Sequence, residues 1–383
     1  MYFNDEHKLF RESVRDFLAQ RATPFANEWE TQRRIPKSIW EEMGDQGYLG
    51  LLHEEKHGGL EADIFFSLIF LEELANTGFG GFAGAVSVHS YMATAHLAKA
   101  GSETLKRKYL EPAIEGRKVG ALAISEPGAG SDVSSLRTRA EDMGDHYLLN
   151  GSKIFITNGF YADFITVAAQ TEKGMSLFVI EGDNPGLSRN KLEKMGWHCS
   201  DTAELFFENA VVPKENLIGE EGKGFYYIMD SFQIERLCIA IISQASAERM
   251  FDLALKYARE RDAFGKKLEK MKNIRYQLAD VHADIACVKQ YLRHVAWNLE
   301  RGENMSRECA IAKLKATELS KEVADKCLQI FGGYGYMADF EIERMFRDAR
   351  VNTIIGGTSD IMKEIIGKSV IDERTYKSAY QNH

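Results

Sequence analysis

Proline is scarce, with six in 383 residues, where average usage of ~5% gives about nineteen. A chain with so few helix breakers leans helical. Long apolar runs are missing too, and no uncharged stretch approaches the ~20 residues that a membrane span needs. The opening segment MYFNDEHKLFRESVRDF carries charge from its fifth residue and has no apolar centre, so no secretory signal and a soluble, cytoplasmic protein are expected. The five cysteines (Cys199, Cys238, Cys287, Cys309 and Cys327) are odd in number and form no C-x-x-C pair, which predicts free thiols. The ten histidines are scattered without metal-ligand spacing, so no metal site is expected. An excess of positive charge is also absent. Forty-eight Lys and Arg against fifty-seven Asp and Glu leave a net charge of −9, which argues against a nucleic-acid binder.

What is present is ordinary globular composition, 44% hydrophobic and 27% charged, over a length suited to two or three domains. Residues 1–119 carry helical periodicity. Phe10, Val14, Leu18 and Ala22 recur at four-residue spacing, Ile39, Met43 and Tyr48 form a second stripe, and residues 65–74 form a buried helix. The texture changes over residues 120–224. Asn150-Gly151, flanked by Tyr147-Leu148-Leu149 and Ile154-Phe155-Ile156, predicts a β-hairpin turn. Residues 164–169, 175–181 and 203–208 are further strands. Helical spacing returns over 225–383, in Leu237, Ile241 and Ala245, then Leu278, Val281, Ile285 and Val288, then Ala310, Ala312 and Leu314. The expected fold class is α+β, with an N-terminal helical domain, a middle β domain and a C-terminal helical domain.

Two segments stand out chemically. Leu122-Ala123-Ile124-Ser125-Glu126-Pro127-Gly128-Ala129-Gly130-Ser131-Asp132 follows a strand, and its glycines let backbone N–H groups approach a flat or anionic ligand. A tight turn between strands is the alternative. It is no dinucleotide fingerprint, because the third glycine and the following helix are missing. Gln329-Ile330-Phe331-Gly332-Gly333-Tyr334-Gly335-Tyr336 interrupts a helical region at roughly 1 kcal/mol per glycine. A helix–helix turn and close approach to a ligand are both open there. Asp339, Arg344 and Asp348 follow at spacings suited to helix-surface pairing.

Together these segments resemble the two signature patterns of the acyl-CoA dehydrogenase family. The resemblance extends to Lys153-Ile154-Phe155-Ile156-Thr157-Asn158-Gly159, to 259–266 with Arg261 and Phe264, and to Gly356-Gly357-Thr358-Ser359, in the same order along the chain. It implies that family's fold, with a four-helix-bundle type of C-terminal domain, and FAD between the β domain and the last helices. Leu122, Ala123, Ile124, Ser125, Gly128, Gly130 and Ser131, with Phe155, Ile156 and Thr157, would border the flavin ring and ribityl chain. Arg261 and Phe264 would reach the pyrophosphate and adenine side from a neighbouring subunit. Gln329, Gly332 and Gly333 would serve the ADP half, and Thr358, Ser359 and Asp360 the phosphate or ring region. Lys272 stands where the family usually has a flavin-contacting glutamine, and Phe155 replaces a tryptophan common in other branches.

Many members place the catalytic base as Glu two residues before Thr-Ser of the last motif. Here that position is Gly356. The long-chain and isovaleryl type places it on an earlier helix just before an arginine, and Gln233-Ile234-Glu235-Arg236 makes Glu235 the candidate base. Asp201-Thr202-Ala203-Glu204-Leu205-Phe206-Phe207-Glu208 and Gly224-Phe225-Tyr226-Tyr227 resemble the long-chain branch in particular. The implied reaction is α,β-dehydrogenation of a long-chain or branched acyl-CoA to a trans-2-enoyl-CoA. Glu235 takes the α-proton and flavin N5 the β-hydride. Ser131, Tyr226, Gln233, Arg236, Gly356 and Gly357 would position the substrate. Removing a side chain at 356 is expected to leave room beside the α-carbon. An electron-transfer flavoprotein as acceptor and a homotetramer are implied in turn. An acyl-CoA oxidase, a dehydrogenase of a terpenoid or cyclic acyl-CoA, and a non-catalytic flavin-bearing assembly protein are the alternatives.

Overall fold

The computed structural model describes residues 2–373, so positions 374–383 of the expected C-terminal domain lie outside the described residues. The N-terminal part is helical. Its first helix, α1 (Asp5–Arg21), starts at a capping box in which Asn4 Oδ1 accepts the His7 N–H and His7 Nδ1 accepts that of Asn4. α2 (Ile64–Asn76) is apolar on nearly every side. It buries two carboxylates, Glu72 and Glu73, which take Arg11 and Arg15 of α1 as partners. α3 (Gly80–Val88) runs through a single π-helical turn at His89–Ala93 into α4 (Thr94–Ala100).

The middle part is one sheet. Its strands are β1 (Gly120–Ala123), β2 (Arg139–Asp142), β3 (His146–Thr157), β4 (Phe164–Thr171), β5 (Gly174–Glu181), β6 (Leu187–Lys191), β7 (Thr202–Pro213) and β8 (Leu217–Ile218). They lie in the order β6-β7-β3-β2-β4-β5-β8, with β1 parallel to β4. The hairpin expected at Asn150-Gly151 does not exist, because β3 runs straight through both residues. Leu149 pairs with Ala210 and Gly151 with Phe207, so Asn150 faces two residues of β7 across a bulge. The Asn150 side chain fills the gap, accepting the Asn209 N–H at 2.8 Å and donating to Asn209 Oδ1 at 3.2 Å. Of the two residues only Gly151 has positive φ, at +145°, and the left-handed residue of the bulge is Asn209 of β7 at +47°, so the dipeptide alone does not separate a turn from a strand opposite a bulge.

The C-terminal part is built on α5 (Gly224–Glu260), 37 residues long and therefore about 55 Å from end to end. α6 (Lys272–Glu300), α7 (Ser306–Phe331), α8 (Glu341–Ala349) and α9 (Ser359–Val370) complete it. α5 also packs on α2, and one core runs through both helical parts, from Leu74 and Phe82 to Leu237, Ile241 and Ala312.

Asp348 is no surface residue. It is buried at the end of α8, where its carboxylate accepts the backbone N–H of Trp197 at 2.6 Å and of Gly80 at 3.1 Å. One side chain thus ties all three parts together. Burial, with the Glu30 carboxylate nearby, pushes it up to about 7. Among the described residues no helix is long and apolar enough to cross a membrane.

Candidate active site

Glu235 lies three turns into α5 and is 5% exposed, as Arg236 beside it is 8% exposed. A Glu-Arg pair on a helix is ordinarily solvated; this one is covered. Glu235 Oε1 is buried and accepts no hydrogen bond. Burial raises its carboxyl to about 7, against the pull of Arg236 and Lys99. The Arg236 guanidinium sits 4.9 Å from the Phe232 ring centre.

One helical turn beyond Glu235, Ile239 meets the turn at 356–357. Gly356 has φ +60° and Gly357 φ +94°, both in the left-handed region that favours glycine. A Cβ on Gly356 would lie 2.3 Å from Ile239 Cδ1. The room expected beside Gly356 is therefore partly taken, because Ile239 reaches into it. Lys313 of α7, fully buried, donates from Nζ to the Gly357 carbonyl at 2.7 Å. Thr358 and Ser359 spend their hydroxyls on the structure. Thr358 Oγ1 caps α9 at Ile361 N, and Ser359 Oγ donates to Glu318. Asp360 is exposed and paired with Lys363.

The 124–131 loop approaches the same end of α5, since Ile124 and Ala129 share a core with Ile228 and Phe232. Leu122 and Ala123 close β1 before it. A buried ion pair braces the loop. Glu126 accepts the N–H groups of Arg137 at 2.7 Å and Thr138 at 2.9 Å, and Lys153 Nζ at 2.8 Å. Lys153 also donates to Ile124 O at 2.9 Å. Burial lowers Lys153 to about 8. Burial alone would raise Glu126, but Lys153 and the two N–H donors outweigh it and hold the carboxyl below its usual range. Ile154 N donates to Ser125 O at 2.9 Å.

Between Lys153 and Ile156, β3 carries an extra residue against β7, and this bulge turns Phe155 outward at φ +62°, 69% exposed. Ile156 beside it is buried, and Thr157 ends the strand opposite Thr202. Ser131 is exposed at the loop's end. Tyr226, 49% exposed, stands in the first turn of α5. Gln233 uses its side-chain oxygen to accept Met305 N at 2.8 Å, so that oxygen serves the start of α7.

The remaining candidates gather elsewhere. Arg261 follows the last residue of α5, 5.5 Å from the Tyr334 ring. From 235 to 261 along α5 is about 39 Å at 1.5 Å per residue, farther than one flavin dinucleotide spans. Phe264, 95% exposed at φ +50°, tips a two-residue turn between Asp262–Ala263 and Lys266–Lys267. Gln329, Gly332 and Gly333 lie at the end of α7 on this same side. Lys272 is exposed at the start of α6, with Nζ 5.4 Å from the Tyr276 ring centre.

Ile239, Lys313 and the Glu126–Lys153 pair are the site residues to which sequence reasoning gave no role. Lys313 had a signal, a lysine in a stripe of buried alanines (Ala310, Ala312, Ala316). Ile239 had none, since it looks like any apolar core position.

A buried carboxylate with one unpartnered oxygen, one helical turn from the isoleucine that meets a glycine turn and near a braced glycine loop on a sheet, is the arrangement of an enzyme site that can hold and move a proton. Family models for acyl-CoA dehydrogenase match the chain throughout: the N-terminal domain at residues 4–117, the middle domain at 121–210 and the C-terminal domain at 222–371. The chain belongs to the acyl-CoA dehydrogenase family, whose members are flavin-dependent oxidoreductases that use FAD. It is 38% identical over 379 residues to the long-chain specific acyl-CoA dehydrogenase, mitochondrial, of Rattus norvegicus, covering 97% of this chain and 88% of that one. It is 37% identical to the short-chain specific acyl-CoA dehydrogenase of Clostridium acetobutylicum, covering 95% and 98%. A crystal structure of acyl-CoA dehydrogenase from Geobacillus kaustophilus superposes with a TM-score of 0.93 at 42% identity, covering 97% and 99%.

The residues present fit a flavin dinucleotide. Nothing lies within 4 Å of where a Cβ would stand on Gly128, Gly130, Gly332 or Gly333. Bare backbone of this kind admits a ring or a phosphate closely.

Proposed function

We propose that this enzyme dehydrogenates a long-chain or branched acyl-CoA to the trans-2-enoyl-CoA, with Glu235 as the base. The observation that carries this reading is the buried Glu235 carboxylate, unpartnered at Oε1 and one helical turn from Ile239, the residue that meets Gly356. An α-proton of a thioester is weakly acidic. Its removal needs a base poised near neutral pH and donors for the oxygen on which charge develops. Desolvation supplies the first by raising Glu235. The backbone N–H at Gly356 or Gly357 supplies the second, with nothing but hydrogen at either Cα to hinder approach. Bound FAD supplies the acceptor for the β-hydride at N5.

Leu122, Ala123, Ile124, Ser125, Gly128, Gly130 and Ser131, with Phe155, Ile156 and Thr157, hold the flavin end, Phe155 as its aromatic wall. The turn at Thr358, Ser359 and Asp360 faces it with backbone, its two hydroxyls being engaged already. Arg261, Phe264, Lys272, Gln329, Gly332 and Gly333 receive the ADP half of a neighbouring chain's cofactor. The ~39 Å along α5 supports that division, because one chain does not present both halves to one dinucleotide. A homotetramer, acyl-CoA entry past Ser131, Tyr226 and Arg236, and transfer of electrons to an electron-transfer flavoprotein complete the reading. The similarity to a long-chain specific relative supports a long chain, each buried CH₂ adding about 0.8 kcal/mol, while Ile239 takes part of the room beside Gly356.

The decisive experiment is anaerobic stopped-flow bleaching of the FAD-loaded Glu235→Gln variant. Loss of at least about 10²-fold in flavin reduction, with FAD still bound, is expected; a wild-type rate removes Glu235 as the base. A kcat/KM series over straight and branched acyl-CoAs tests the substrate, and butyryl-CoA as the best of them overturns the chain-length proposal.

A further inference from the structure

We propose that Lys313 is a positioning residue of this site: its buried ammonium holds the Gly356–Gly357 turn in the orientation that grips the thioester carbonyl, and places positive charge behind the developing enolate. This rests on the dehydrogenase reading above. The two glycines stand at φ +60° and +94°, so the turn is made of the two residues with the most backbone freedom. Such a turn keeps its N–H groups aimed only if something outside it anchors the chain there. Lys313 Nζ anchors the peptide that follows Gly357, at 2.7 Å from the Gly357 carbonyl oxygen, from a 26-residue helix.

Ala310, Ala312 and Ala316 around it are each fully buried, as Lys313 is, so a lysine stands in a run of small core residues. Burial disfavours the charge, lowering the group to about 8, and Arg236 pushes in the same direction. An apolar residue would fill this volume without that cost. The fold instead keeps a cation whose bond goes to a carbonyl of the site turn. When Glu235 takes the α-proton, the electron pair left on the α-carbon spreads to the carbonyl oxygen. Lys313 acts on that charge through the Gly357–Thr358 peptide and touches no reacting atom itself.

The test uses FAD-loaded full-length enzyme with Lys313→Met, which keeps the stem and removes charge and donor, and Lys313→Arg, which keeps both. Three quantities are read: the KM-against-kcat split, FAD affinity, and the apparent pKa of a bound 3-oxoacyl-CoA, whose enolate absorbs in the near ultraviolet and which the enzyme cannot dehydrogenate at its blocked β-carbon. For Lys313→Met, kcat is expected to fall about 10²-fold with KM and FAD affinity within a few-fold of wild type. The bound analogue becomes less acidic by a unit or more, and Lys313→Arg recovers part of both effects. A folded Lys313→Met enzyme with wild-type kcat and analogue acidity overturns the proposal, as does a loss confined to thermal stability. If Lys313→Met does not fold, Lys313→Gln, a shorter neutral donor, is read against the same two outcomes. A wild-type enzyme that neither bleaches with acyl-CoA nor acidifies the analogue overturns the dehydrogenase reading, and this proposal with it.

Discussion

Ile239 Cδ1 stands 2.3 Å from the place a Cβ on Gly356 would occupy, so the two positions compete for one volume. This relationship governs whether the base can be moved. In a Glu235→Gln background, Gly356→Glu alone is expected to restore little flavin reduction. The new side chain meets Ile239, and a non-glycine residue at φ +60° is itself strained by about 1–2 kcal/mol. Adding Ile239→Ala opens the volume, and the triple variant should recover measurable reduction with a preference shifted to shorter chains. Equal activity of the double and triple variants in stopped-flow bleaching counts against this competition.

The raised Glu235 carboxyl sets a pH dependence. In the proposed mechanism the ionised form acts as the base, so kcat/KM should rise with pH along a limb centred near 7. Stability runs the other way. A carboxyl at about 7 in the fold against 4.5 unfolded contributes stability that is complete below about 4.5 and lost as pH rises through 7. Glu235→Gln removes that dependence. Its stability relative to wild type should therefore improve between pH 5 and pH 8, by up to about 3 kcal/mol. Urea unfolding at the two pH values measures the difference, and an unchanged difference means the group is not raised.

Breaking the Glu126–Lys153 pair should damage the flavin loop more than the fold at large. Lys153→Met leaves Glu126 a buried carboxylate without its cation, a loss of about 3–5 kcal/mol for a buried pair. Because Lys153 also holds Ile124 O, FAD affinity should drop alongside the melting temperature. Retention of FAD equal to wild type in equilibrium dialysis would show that the brace is not what shapes the loop.

Phe264→Ala and Arg261→Ala should weaken FAD retention and assembly together, without changing the buried core, because both side chains lie at the exposed end of the bundle. Light scattering with flavin absorbance decides this. A fully flavin-loaded monomer in either variant or in wild type sinks the shared-site reading.

The helical, β and helical texture was legible because periodicity reports burial directly, as Val14 and Leu18 in α1 and Leu278 and Val281 in α6 illustrate. The burial of Glu235 was not legible, since nothing local distinguishes a buried Glu-Arg pair from a solvated one, and only the resemblance of its motif singled it out. Asn150-Gly151 misled because the dipeptide reads the same where the chain turns and where it runs on opposite a bulge in the neighbouring strand. Asp348 misled because helix spacing cannot say that two backbone N–H groups from distant parts of the chain converge on one carboxylate. Ile239 and Lys313 meet 356 and 357 from across the fold, and no local pattern carries such a pairing.

The length of α5 has an outcome for mixed assemblies. On the proposed reading, a rod with Glu235 near one end and Arg261 at the other gives each chain half of two different sites. Combining chains that bear Glu235→Gln with chains that bear Arg261→Ala therefore sorts the defects unevenly. Across one shared pair, one site collects both lesions and the other collects neither. Two preparations that are each impaired alone should gain activity when unfolded together and reassembled, with up to about half of the sites in mixed pairs free of both lesions. Complementation between impaired parents is the arithmetic signature of a site that no single chain owns.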